Sequence, residues 1–218
     1  SVTGGDKGIE VSGGTVSLYH VTASGDDSGV EISGASDVTL NNVTATSDGS
    51  GVEINVSFSG SGDVTLNNVT ASGNYGIHRT GGPLWESSST LTLNGVNASG
   101  DSRGVVAGGS GDITIRNSEI SSAGSPASMA AIGTMTLTNV RARIDGDPES
   151  DYAIHHSGDG TLLIMSSQIY GGIARASNPK TQIAGTMVTG PIVGGFPPGG
   201  GCSGVFDGDL TSLDSSCQ

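Results

Sequence analysis

Lysine is nearly absent from this 218-residue chain: Lys7 and Lys180 are the only two, and the eight Lys and Arg residues together face 21 Asp and Glu. The formal charge of −13 disfavours nucleic-acid binding, because phosphate contacts need a basic surface. It equally disfavours a dedicated grip on polyanionic glycans unless metal ions intervene. Aromatic residues amount to 4%, with one Trp. No apolar run is long enough to cross a membrane. No signal-peptide pattern is present, so the chain reads as mature or trimmed. No window places apolar residues at helical spacing among helix-forming residues, and 38 Gly argue against long helices. Only two cysteines occur, Cys202 and Cys217, both near the end. A pair in a reducing cytosol more often has a redox or metal role. A pair closing a 15-residue step at a chain end reads better as a disulfide, and with it as an extracellular or periplasmic home. Such a bridge contributes about 3 kcal/mol by limiting the unfolded tail.

What the chain has in abundance is itself. Asp37-Val-Thr-Leu-Asn-Asn-Val-Thr-Ala45 recurs unchanged as Asp63 to Ala71. Weaker copies run from Thr15 to Ala23, Thr90 to Ala98, Asp112 to Ile120, Thr134 to Ala142 and Thr161 to Ile169. All but the one at Thr134 follow a short apolar partner, usually opened by Gly, such as Gly29-Val-Glu-Ile32 and Gly51-Val-Glu-Ile54. Self-similarity at this period means a repeat architecture. Within a copy, Val38 and Leu40 alternate with Thr39, the two-residue period of a strand. The alternation breaks at Asn41-Asn42 and resumes at Val43, which reads as a tight corner between two short strands. The second corner position holds Asn42, Asn68, Gly95, Asn117 and Asn139, residues that tolerate a left-handed backbone. Strand, corner, strand, loop and a third strand make one coil of a right-handed parallel β-helix. The expected fold is therefore all-β: a solenoid of about eight coils over residues 1–190, followed by a disulfide-linked cap over 191–218. No coil can bury its apolar side alone, so stability is a sum over neighbours. A β-sandwich does not require one motif repeated in phase, and a propeller blade needs about twice the residues of this unit.

Four features are candidates for function. Glu10, Glu31 and Glu53 stack in one column with His78 next in register. Stacked carboxylates repel, so the column is either a solvated face or a line of contact with a cation or glycan. Thr39, Thr65, Thr92, Thr114 and Thr136 form a hydroxyl column. That geometry suits ice binding, but the neighbouring Asn41, Asn67, Asn94, Arg116 and Thr138 do not keep a regular Thr-x-Thr rank. Trp85 lies in the longest excursion between repeats, where an aromatic can stack on a sugar, fill a partner's pocket or fold back over the rod. Asp145, Asp147, Glu149 and Asp151 alternate along one loop, a set of hard oxygen ligands that suits calcium, although the glycine and distal glutamate of an EF-hand are missing. The neighbouring His155-His156 pair points to opposite faces of a strand and makes a poor metal pair.

The repeats, with the tail Cys202…Val205-Phe-Asp…Leu…Cys217, resemble bacterial secreted right-handed β-helix proteins of the pectate-lyase-like superfamily. That resemblance implies a polysaccharide lyase or hydrolase as one expectation. The lyases use calcium-binding acids with an Arg or Lys base, and here Arg79 and Arg103 stand isolated. The Asn-Thr-Asp, Gly-His-Gly and Arg-Ile-Lys stretches of the polygalacturonase-like hydrolases do not occur. The expectation is instead a non-catalytic extracellular or cell-surface protein, structural or adhesive, whose subunits stack into fibres. A glycan-binding or glycan-degrading role is the alternative. Calcium is the only cofactor that the residues suggest; the expected partners are a second copy of the chain or a cell-surface glycan.

Overall fold

The structure is a computed structural model. It describes residues 1–55, 62–80, 90–108, 111–124, 127–130, 133–145, 152–156, 160–175, 180–193, 201–205 and 207. Every strand pairing among them is parallel and in sequential order, and the described residues contain no helix. Three sheets run side by side along one axis, and among the described residues each stacks nine strand segments. The first holds the repeated copies: Val64–Asn67, Leu91–Asn94, Ile113–Arg116, Met135–Thr138, Leu162–Met165, Thr181–Ala184 and Gly201–Ser203, preceded by the ends of the long strands Lys7–Tyr19 and Ser28–Asn41. The second begins at Val2–Thr3 and passes through Thr22–Ser24, Thr44–Thr46 and Glu119–Ser122 to Met187–Val188. The third carries the Gly-led partners, from Lys7 through Ser50–Asn55 and Tyr152–His156 to Ile192–Val193. At roughly 4.8 Å per rung the rod is about 40 Å long.

The fold is thus a parallel β-solenoid whose first rung starts at Val2, and its register departs from the sequence reading in two places. The copy at Thr134 has its own third-sheet partner, Ala127–Ala130, paired to Val105–Gly108 and Tyr152–His156; it lacks the Gly-led apolar pair that marks the others. Pairing also continues past Gly190. Ile192–Val193 add to Ile173–Ala174, and Gly201–Ser203 add to Gln182–Ala184, because backbone pairing does not require the side-chain motif that stops there. Cys202 sits in this last rung and is not a free thiol. Cys217 lies outside the described residues.

The core is three apolar columns. Val38, Leu40, Val64, Leu66, Leu91, Leu93, Ile113 and Ile115 line the first sheet and are all at most 2% exposed. The second sheet presents small residues, Ala23, Ala45, Ala71 and Ala98, and then Ile120, Ala142 and Ile169. The third supplies Val30, Ile32, Val52, Ile54 and Ile77. The glycine near the start of most third-sheet segments has a steric cause. A Cβ on Gly51 would lie 2.5 Å from the Ser72 amide nitrogen and 2.8 Å from the Gly76 carbonyl oxygen, so the next rung's backbone occupies the space a side chain would need.

The corner between the first and second sheets is left-handed in every rung: His20, Asn42, Asn68, Gly95, Asn117, Asn139, Ser166, Gly185 and Gly204 all have φ between 50° and 65°. Asparagine amides run along it. Asn68 Nδ2 donates to Asn42 Oδ1 at 3.4 Å and Asn139 Nδ2 to Asn117 Oδ1 at 2.9 Å. At Gly95 the line jumps sideways: Asn117 Nδ2 reaches Asn94 Oδ1 at 3.1 Å. One residue further on, the buried position changes character along the rod. It is Val43, Val69 and Val96 in the amino-terminal part, then Ser118, Val140, Ser167 and Thr186. Each hydroxyl accepts a hydrogen bond from the amide of the rung before, Val96 N to Ser118 Oγ (3.1 Å), Val140 N to Ser167 Oγ (3.1 Å) and Ser167 N to Thr186 Oγ1 (3.4 Å). Each also donates to a carbonyl two residues back in its own chain. Buried polar groups tolerate burial when bonded in this way.

Candidate functional site

The glutamate column is real in register: Glu10 opposes Glu31, Glu31 opposes Glu53, and Glu53 opposes His78. Its cation is internal. Lys7 Nζ lies 2.8 Å from Glu10 Oε1 and 3.0 Å from Glu31 Oε2. The hydrogen bonds that Lys7 donates to those two carboxylates, Glu10 foremost, raise its pKa well above the ordinary lysine value. Glu53 is held by Ser28 Oγ at 3.2 Å and Asn55 Nδ2 at 3.3 Å, and Glu31 accepts from Ser33 Oγ at 3.3 Å. His78 stacks on Tyr75, with ring centroids 4.9 Å apart. The column is therefore a satisfied polar face. Among the described residues no three metal-ligating side chains gather at one point.

The other sequence candidates fall apart in space or lie outside the described residues. Asp145 is exposed and pairs with Arg143 at 3.2 Å; Asp147, Glu149 and Asp151 are outside the described residues, as is Trp85. His155 faces solvent while His156 is buried in the core. Neither ring nitrogen of His156 has a hydrogen-bond partner of normal geometry. Burial pushes its pKa below the ordinary imidazole value and His155 adds to that; the Gly133 backbone pulls the other way. Arg79 points inward in register with Ile54 and is 1% exposed. Burial lowers its pKa, opposed by Asp63, and a guanidinium in that position faces no external substrate. Arg103 sits on the next rung, beside Tyr75.

What the fold does assemble is two grooves that no motif marks. One, with a cavity volume of about 410 Å³, runs along the rod where the second sheet turns toward the third. Its floor is a register column, Ser72, Ser99 and Ser121, with Gly73 and Gly100 beside it, and Asp48, Asp101 and Asp145 stand on its rims. The sequence signal was available: the third residue of each second-sheet segment is Ser or Thr from Ser24 to Ser121. Small side chains in register leave a trough, and the acids come from the loop just beyond. The other groove, about 330 Å³, opens at the left-handed corner near Asn139 and Ser166. Both are polar, open to solvent and elongated, a geometry that can lay hydroxyl and carboxylate groups along an extended chain.

These features define the protein as a parallel β-solenoid with polar lateral grooves. Comparison with protein-family models, with curated proteins and with solved structures finds no match.

Proposed function

We propose that the chain is a structural or adhesive rod of an extracellular or cell surface, built like the non-catalytic secreted β-helix proteins it resembles, and that its copies stack end to end. One observation carries this reading. In the first rung of the described residues Ile9, Val11, Leu18 and Val21 are only partly buried, whereas their column partners Val30, Ile32, Leu40 and Val43 are 1% exposed or less. Among the described residues, strands Val2–Thr3 and Lys7–Tyr19 pair on one side only. An unpaired edge above an apolar core is a template for another rung. Growth along the axis is heterologous, so it gives filaments where it does not close. In the same reading, Cys202 bridges to Cys217 across the tail.

Light scattering and negative-stain imaging of the purified protein at high concentration test assembly. Rods longer than one subunit that disappear in the Val16→Pro, Leu18→Glu double variant support stacking, provided the variant keeps its β-sheet circular dichroism. A wild-type protein that stays monomeric at high concentration overturns it. Thiol tagging under non-reducing denaturation tests the bridge, with no tag expected.

The axial groove favours a second reading, glycan binding along the rod. Its serines stack on successive rungs and its three aspartates stand on alternate rungs, which suits a polymer with a repeated hydroxyl pattern. Loss of polysaccharide retention in affinity electrophoresis on Asp101→Ala would support this reading; unchanged retention would count against the groove.

A further inference from the structure

We propose that the cleft at the left-handed corner is a subsite for a neutral saccharide unit, formed where the asparagine line stops. This deepens the glycan-binding reading and rests on it. Asn117 and Asn139 follow one another on the line, each donating its Nδ2 to the rung before. The next corner residue is Ser166, with the same left-handed backbone, φ 50° against 54° at Asn139, and the backbone bonds continue unbroken, Ser166 N to Ala184 O at 2.9 Å. Only the side chain is too short. Asn139 Oδ1 therefore accepts no hydrogen bond from the described residues, and a cleft of about 330 Å³ lies beside it.

The cleft wall is three outward residues in register on successive rungs, Glu119, Arg141 and Gln168. Glu119 and Arg141 are direct neighbours yet form no ion pair. The Arg141 guanidinium instead lies over the Tyr170 ring, 5.2 Å from its centroid, and Tyr170 Oη donates to Gln168 Oε1 at 3.3 Å. Cation–π contact and hydrogen bond together fix the wall. They leave the Glu119 carboxylate unpaired among the described residues. The cleft thus offers free acceptors at Asn139 and Glu119, donors at Arg141 and Gln168, and one formal charge of each sign. In a chain of net charge −13 this is a locally neutral site. Vicinal hydroxyls, each both donor and acceptor, match it; a polyanion meets Glu119 and the surrounding negative field.

The test is Ser166→Asn. The longer side chain suits the left-handed corner, donates to Asn139 Oδ1 and fills the cleft, so the variant should melt no lower than wild type. Calorimetric titration with neutral hexasaccharides (β-1,4-glucan, β-1,3-glucan, α-1,6-mannan) and hexagalacturonate as the charged probe reads binding. The expected result is that wild type binds at least one neutral probe and not the charged one. Ser166→Asn and Glu119→Gln should each weaken it by roughly tenfold, the loss of one or two hydrogen bonds, while His155→Gln, exposed on the third sheet and outside both grooves, leaves it unchanged. If both cleft variants bind like wild type and Asp101→Asn does not, the cleft assignment falls and the glycan reading survives. If wild type binds no probe, both fall. Binding of hexagalacturonate alone overturns the neutral class.

Discussion

The two ends of this rod share one backbone and use different side chains to hold it. The amino-terminal rungs are close copies: asparagine at the corner, valine behind it, isoleucine or valine facing inward from the third sheet, and carboxylates on the outside tied by Lys7. The carboxy-terminal rungs keep the same φ at the corner with Ser166, Gly185 and Gly204. They place hydroxyls where valines stood, turn His156 into the core and carry Arg141 and Arg143 outside. The comparison shows which demands belong to the coil and which to the residue. The left-handed corner is common to every rung, while asparagine and valine, or serine, glycine and threonine, are alternative residues that fill it and the position behind it.

The largest test sets an interior rung against the first one. Leu66 is fully buried, and Leu66→Ala should cost about 3 kcal/mol by combining lost transfer energy with a cavity. Leu18, the same column position in the first rung, should cost roughly 1 kcal/mol on the same change, because part of it already meets solvent. Equal losses in urea denaturation would mean that something covers the first rung in solution.

The corner comes next. Asn68→Val should cost about 2 kcal/mol, since a β-branched residue is strained at φ 51°. Asn68→Gly should cost under about 1 kcal/mol, because Gly95 and Gly185 already occupy this position. Matching melting temperatures for the two variants would remove backbone strain as the reason for asparagine.

Ser118→Ala should cost about 1–2 kcal/mol by leaving the buried Val96 amide without its acceptor. Ser118→Thr, which keeps the hydroxyl, should recover most of it. A serine variant indistinguishable from wild type would show that the hydroxyl column is incidental.

The smallest effect is a pH dependence confined to the carboxy-terminal half. The folded pKa of His156 lies below its unfolded value near 6.5, so the unfolded chain binds the proton first. Stability should therefore be undiminished above about pH 6.5 and fall as pH drops from there toward the folded pKa. His156→Met should flatten that part of the profile. Hydrogen exchange should place the loss in rungs around Tyr152–His156 and not around Ser28–Asn41; an equal loss at both ends would refute the assignment to His156.

The sequence alone determined the architecture, because its signals are local. A two-residue alternation, a residue tolerant of positive φ and a glycine ahead of the third strand are properties of single segments, and their recurrence names a solenoid. That His155 and His156 face opposite ways was equally legible. Which of them faces inward, and what meets what between rungs, was decided only by the tertiary structure. Rungs differ in length: 19 residues separate Leu162 from Thr181, but 27 separate Met135 from Leu162. Register therefore cannot be counted along the chain. Lys7 as the cation of the glutamate column went unseen because its ammonium bridges carboxylates on two rungs, a contact that only the stacked coils bring within reach. Ser118, Ser167 and Thr186 likewise look like polar intrusions until the amides of neighbouring rungs are placed beside them. Both grooves arise from what small side chains leave open between rungs, a quantity that exists only once the coils are stacked.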